Sequence, residues 1–176
     1  SSCISSRINV MNFKFTKSSK RNLNLNKGLK FRQEEKKFVN ERFNLFKKYS
    51  KARHLDGQMH KMRKKEFENF FYNKSCKQLV FDLFDSWNVL YGSILVDVLE
   101  DGYSAVYSFY DPDYKNFGLG KNLILRLLEN LKKKELLYLY LGYWVKNSTK
   151  MDYKITFNSI EFFFDGKWTI KKDLVT

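Results

Sequence analysis

The sequence predicts an α+β fold, a mixed sheet with flanking helices, and three observations in the second half of the chain predict it. Residues 89–100 and 103–110 are strand-like, and Glu100-Asp101-Gly102 between them is a tight-turn signal, so a hairpin is expected. Leu119, Leu123, Ile124, Leu127, Leu128 and Leu131 then recur at helical spacing, an amphipathic helix of about three to four turns. Residues 136–145 follow as an apolar run of strand length. Hairpin, glycine-containing loop, helix and strand in that order describe a sheet with a helix laid against it.

The remaining elements read less evenly. Residues 7–15 alternate, but their apolar positions mix two parities, so the spacing supports a strand without defining its face. Residues 16–26 are polar and basic, a loop entering a helix. Residues 33–51 turn helical, with Phe38, Phe43, Leu45, Phe46 and Tyr49 on a broad apolar face. A polar break surrounds Gly57, and a second basic helix is expected over residues 64–73. Residues 79–84 suit a short helix or a strand equally. Pro112 ends the strand that precedes it, and residues 160–164 and 167–170, separated by Asp165-Gly166, form a closing hairpin.

Composition narrows the functional classes. Of 176 residues, 43% are hydrophobic and 18% aromatic, too many for a disordered chain. No apolar run approaches the roughly 18 residues of a membrane span. Two cysteines, Cys3 and Cys76, make no disulfide framework, so a reducing cytoplasmic setting without membrane contact is expected. Opening on Ser1 rather than Met, the chain reads as part of a longer protein. The net charge of +14 is uneven: residues 1–77 hold 21 Lys and Arg against 6 acids, whereas residues 78–176 hold 12 against 13. Lysine outnumbers arginine 26 to 7, a bias that would add lysine everywhere and does not account for the asymmetry. A basic segment beside a neutral, aromatic-rich one suits contact with a phosphate backbone.

Between strand and helix, Lys115-Asn-Phe-Gly118-Leu-Gly120 resembles the phosphate loop of acyl-CoA N-acetyltransferases, with Lys at a first position usually held by Gln or Arg. Backbone N–H groups at a helix start suit a pyrophosphate, which leaves a CoA-dependent N-acetyltransferase as an alternative function, and a simple tight turn is the other reading of the glycines. A more specific resemblance spans nearly the whole chain. The run from Asp101 through Ser104 and Tyr110 to Asp111-Pro112-Asp113, followed by Leu119-Gly120, resembles the arginyl-tRNA–protein transferase family. Tyr138-Leu-Tyr140-Leu-Gly142-Tyr143-Trp144 and Lys150-Met151-Asp-Tyr153-Lys154 are similar to further blocks of that family, as are Tyr49, Arg53, His54, Asp56, Gly57 and Met59. Cys3, Arg7, Lys20, Arg21 and Asn26 resemble the end of its N-terminal domain.

Within the family, Leu-Gly-Tyr-Trp resembles the bacterial aspartate/glutamate leucyltransferase branch. That resemblance implies transfer of leucine from leucyl-tRNA to the α-amine of proteins beginning with Asp or Glu, with arginyl-tRNA the alternative donor and degradation the product's fate. It implies an acetyltransferase-like (GNAT) fold for residues 34–176, and it makes residues 1–33 the end of a basic, truncated N-terminal domain. No cofactor is implied beyond aminoacyl-tRNA as co-substrate, and a monomer is expected. Three departures stand out: Gly118 where the family usually has Ser, Asp152 where it usually has Arg, and Cys3 alone of a cysteine-rich motif that otherwise offers a metal site. Cys76 reads as a small buried residue.

The implied chemistry is aminolysis of an activated ester, which positioning alone accelerates and which needs no covalent enzyme intermediate. Asp111 or Asp113 would hold the incoming α-ammonium or accept its proton, unless Asp-Pro-Asp is only a turn. His54 is a candidate proton shuttle. An acidic N-terminal side chain calls for cations, ideally an Arg fork: Arg53, Lys150 and Lys154, then Arg7 and Arg21. Tyr138 and Tyr140 share one strand face with Tyr143 opposite, and one face would stack the tRNA end beside Lys115, Gly118 and Gly120. Such tyrosines equally complete a core.

Overall fold

The computed structural model describes residues 3–53, 57–72, 76–145, 148 and 151–170. Eight strands form one sheet: β1 (Cys3–Asn9), β2 (Lys30–Glu34), β3 (Gln78–Phe84), β4 (Leu90–Leu99), β5 (Gly102–Tyr110), β6 (Tyr138–Val145), β7 (Ile160–Phe164) and β8 (Lys167–Ile170). Their spatial order is β2-β3-β4-β5-β6-β1-β7-β8, antiparallel throughout except between β5 and β6. The helices are α1 (Lys17–Leu25), α2 (Asn40–Arg53), α3 (Lys64–Tyr72) and α4 (Leu119–Lys133).

Of residues 1–33, read from sequence as the end of a separate domain, β1 lies inside this sheet between β6 and β7, and Lys30 opens the edge strand β2. The strand expected over residues 7–15 instead ends at Asn9, because the Asn9 side chain accepts the Asn12 amide and turns the chain. Val10 and Phe13 enter the core from that turn, which explains the mixed parity. Residues 17–25 are helical, with Thr16 capping the Ser19 amide. Residues 30–34, of which only Gln33 and Glu34 fall within the helix expected from pattern, pair with β3 as the edge strand, and the helix itself begins at Asn40.

Two hydrophobic layers sandwich the sheet. On one face Leu123, Ile124, Leu127, Leu128 and Leu131 of α4 pack on Ile94, Val96, Tyr103, Leu139 and Leu141. On the other, α2 and α3 cover only β3–β5 through Phe43, Phe46, Phe67 and Phe71 against Val80, Leu95 and Phe109. Here rings meet edge-on or tilted, Phe46 and Phe67 at 4.9 Å between centroids. Arg42 of α2 reaches through this layer to Asp82 of β3, both almost fully buried, with Nη2 donating to Oδ2 at 2.7 Å. Among the described residues, no helix packs on that face of the second half of the sheet, β6-β1-β7-β8.

Candidate active site

The feature that organises the site is the single parallel pairing. β5 and β6 run side by side only from Gly102–Tyr138 to Ser104–Tyr140, and each then continues without the other, to Tyr110 and Val145. Gly102 permits the approach: a Cβ there would stand 1.8 Å from the Tyr138 carbonyl oxygen. Beyond the divergence β6 carries a bulge, with Ser6 opposite Gly142 and Arg7 opposite Tyr140, and Gly142 takes φ +72°. That extra residue shifts the alternation, so Tyr143, expected opposite Tyr138 and Tyr140, shares their face and is 60% exposed. In the opened stretch, Lys154 Nζ donates to the carbonyl oxygens of Leu141, at 2.7 Å, and Tyr143, so an ammonium satisfies groups that a neighbouring strand would otherwise take.

Burial pushes the Lys154 ammonium down to about 8. Its folded-state pKa thus lies below the roughly 10.4 of an exposed lysine, so the unfolded chain binds more protons between these values. Stability of the wild type is expected to rise with pH from about 8 to 10 relative to Lys154→Met. Urea midpoints of both proteins at pH 7, 8, 9 and 10 check this, and a gap that does not widen refutes it.

The end of β5 gathers the charged groups. Lys48 of α2 bridges Asp111 Oδ1 at 2.7 Å and Asp113 Oδ2 at 2.6 Å, and these bonds hold its pKa above the ordinary lysine value. Asp111 Oδ1 also accepts the Asp113 amide, so the turn reading of Asp-Pro-Asp and the charged reading coexist. Arg53 Nη2 donates to the Tyr110 hydroxyl at 2.5 Å, and its guanidinium lies 5.8 and 5.4 Å from the Tyr49 and Tyr110 ring centroids. Tyr49 meets Tyr110 edge-on at 4.9 Å. The Tyr110 ring in turn lies against Gly120, where a Cβ would approach it to 2.8 Å. Gly118 takes φ +59°, and Asn22 and Asn26 of α1 donate to the Phe117 carbonyl, Asn22 also to that of Gly118. The loop's glycines thus answer to packing by α1 and Tyr110.

Of the residues expected to act together, Asp111 and Asp113 share Lys48, and Arg53 meets the neighbouring Tyr110 at its hydroxyl, with the Lys115–Gly120 loop alongside through Tyr110. His54 and Lys150 lie outside the described residues. Arg7 is elsewhere, on the uncovered half of the sheet. Its Nε donates to Glu161 at 2.7 Å, and its guanidinium lies between the Tyr138 and Trp168 rings, 3.5 and 4.1 Å from their centroids. Burial opposes its charge, but the bonds to Glu161 and Tyr140 more than offset that. An Arg7 so neutralised is a strut of the sheet, and it occupies a face of Tyr138 that was expected to stack a base. Tyr140 donates to Asp101 at 2.8 Å. Arg21 is exposed on α1, and Cys3 is exposed at the start of β1; among the described residues no group of three or more potential metal ligands assembles. Cys76 is exposed, not buried as expected, with its thiol toward Asp97. Sequence reasoning missed Lys48, one lysine among 26 with nothing local to mark it, and Tyr110, whose position beside Asp111 was a usable signal.

Residues 41–164 match the family model described as "Arginine-tRNA-protein transferase, C terminus". The chain is 39% identical over 174 residues to an aspartate/glutamate leucyltransferase of Ruegeria sp. (strain TM1040), covering 98% of this chain and 64% of that protein. It is 37% identical to the protein of the same name from Nitrosococcus oceani, covering 98% and 73%. The chain thus spans just under two thirds of the Ruegeria sp. relative and 62% of that from Granulibacter bethesdensis. Among solved structures, L-PGS from Bacillus licheniformis superposes with a TM-score of 0.60 at 12% identity, over 88% of this chain and 52% of that one. The ribosomal-protein-S18-alanine N-acetyltransferase from Escherichia coli does so with 0.51 at 20% identity, over 69% and 71%. The fold is therefore acetyltransferase-like.

Proposed function

Because the chain belongs to the arginine-tRNA–protein transferase family, we propose that it transfers leucine from leucyl-tRNA to the α-amine of proteins beginning with Asp or Glu. The observation that carries this reading is 35–39% identity to aspartate/glutamate leucyltransferases over 94–98% of the chain. The cluster at the end of β5 supplies the chemistry. The neutral α-amine attacks the aminoacyl carbonyl, a tetrahedral oxyanion forms, and the ribose hydroxyl of the tRNA leaves. Arg53, its fork oriented by Tyr110 and Tyr49, pairs with the acidic side chain. Asp111, held in place by Lys48, receives the α-ammonium and its proton. The product enters protein degradation from the cytoplasm; no helix among the described residues is long and apolar enough to cross a membrane. The enzyme works as a monomer without a cofactor.

The test incubates the protein with labelled Leu-tRNA or Arg-tRNA and peptides beginning with Asp, Glu or Ala. Leucine is expected on the acidic peptides only. Arginine instead would move the protein to the other branch, and no transfer from either tRNA would overturn the reading. Arg53→Ala is expected to lower kcat/KM for Asp- and Glu-peptides by about 10- to 100-fold through KM, the worth of a charged hydrogen bond.

A further inference from the structure

A second surface at the same end of the sheet has no role in the chemistry above. Tyr91 at the start of β4, Tyr114 and Phe117 form a ladder of edge-to-face rings, 5.0 Å between the first two centroids and 5.6 Å between the last two. Tyr114 and Phe117 are each 38% exposed. The ladder is braced rather than loose. Tyr91 donates its hydroxyl to Asp85, and Asp85 also accepts the amides of Trp87 and Val89, which stiffens the β3–β4 turn and leaves Trp87 85% exposed. The Phe117 carbonyl is held by Asn22 and Asn26 of α1.

The charge around this ladder has one sign on its α1 side. Residues 14–32, which include α1 and the start of β2, carry seven Lys and Arg and no acid. Arg21 precedes the Asn22 that binds Phe117, Lys30 pairs in register with Phe84 just before the Asp85 turn, and Lys115 follows Tyr114 in the turn that leads to Phe117. Exposed rings on a rigid support with cations beside them are what single-stranded nucleic acid binds, bases stacking while Lys and Arg follow the phosphates. Tyr138 and Tyr140 do not offer this, since they are engaged with Arg7, Asp101 and Trp168.

We propose that the Tyr91–Tyr114–Phe117 ladder, with the basic α1–β2 stretch beside it, is the track for the unpaired 3′ nucleotides of the tRNA. This rests on the tRNA-dependent reading above and deepens it. The Tyr114 amide donates to the Asp111 carbonyl, so the last nucleotide stacked on the ladder brings its ester to the Lys48–Asp111–Arg53 cluster. The stem behind it lies along α1, contacted through phosphates without sequence readout.

The experiment measures binding of uncharged leucine tRNA, intact or lacking its four unpaired 3′ nucleotides, by anisotropy at fixed salt. The wild type is expected to prefer the intact form by about 10-fold or more, the scale of one or two stacked bases. The double variant Tyr114→Ala/Phe117→Ala removes that preference and leaves affinity for the shortened tRNA unchanged. Phe117→Leu, which keeps the apolar volume without the ring face, reduces the preference to an intermediate value. Arg21→Glu with Lys27→Glu weakens both forms alike. A wild type that prefers the intact end, with variants that still do, overturns the ladder and leaves the transferase reading standing. Equal binding of both tRNAs by the wild type also overturns it, as do variants that change only the KM for peptide. Failure of the wild type to bind either tRNA removes the functional reading itself.

Discussion

Asp82→Ala is expected to destabilise the protein by about 3–5 kcal/mol, the cost of leaving a buried charge without its partner. Arg42 is 3% exposed and Asp82 1%, so water does not replace the lost carboxylate. Nε donates to both oxygens of Asp82 and Nη2 to one of them, while Nη1 is already committed to the carbonyls of Lys37 and Glu35. In the wild type burial works against the guanidinium charge and Asp82, then Tyr72, more than offset it; with Asp82 gone, Arg42 still cannot escape the problem by losing its proton, because a guanidinium stays charged in proteins. For a domain of this size the loss corresponds to a fall in Tm of about 6–20 °C, which calorimetry checks. Arg42→Met/Asp82→Leu, with both charges gone, is expected to recover most of the stability. A single variant within 1 kcal/mol of wild type would show that the pair holds the α2 layer only weakly. The consequence reaches function because α2 also carries Lys48, Tyr49 and Arg53.

Gly102→Ala acts at the start of β5, where that strand pairs with β6. The added methyl would stand 1.8 Å from the Tyr138 carbonyl oxygen and 2.8 Å from its carbon. These are backbone atoms, and the Asp101 carbonyl beside them accepts the amides of Leu137 and Tyr138, so no side-chain rotation relieves the clash. The expected cost is about 3 kcal/mol, the upper end for overpacking. Because this is where β5 and β6 meet before diverging, transfer is expected to fall by more than the loss of folded protein explains. Gly28→Ala is the control: nothing lies within 4 Å of the added methyl, and a change below about 1 kcal/mol is expected. Urea denaturation with single-turnover rates on the folded fraction separates the two effects, and equal behaviour of both variants would refute the argument.

Legibility varied with how local the cause was. The hairpin β4–β5 and helix α4 were readable because turn chemistry and a 3.6-residue period act within a few residues. The edge strand over residues 30–34 was not legible, because five residues, mostly polar, carry too few apolar positions to show a period. The parity of Tyr143 depended on one residue of bulge, which no alternation rule anticipates. In the candidate site, Arg53, Asp111 and Asp113 were legible as residue types in a family pattern. Lys48 and the Tyr91–Tyr114–Phe117 ladder were not, since each is brought to its neighbours from a separate part of the chain.

By itself, then, the sequence determined the fold class, the family and the concentration of positive charge in its first half, because periodicity, motif and composition are properties of neighbours along the chain. Only the tertiary structure decided that β1 lies within the sheet, that Arg7 and Lys154 hold the sheet together from within it, and that Lys48 completes the acidic pair. Those outcomes depend on which strands pair and where two of them part. Long-range register sets that, and it is chosen by the burial of whole faces rather than by any short stretch of residues.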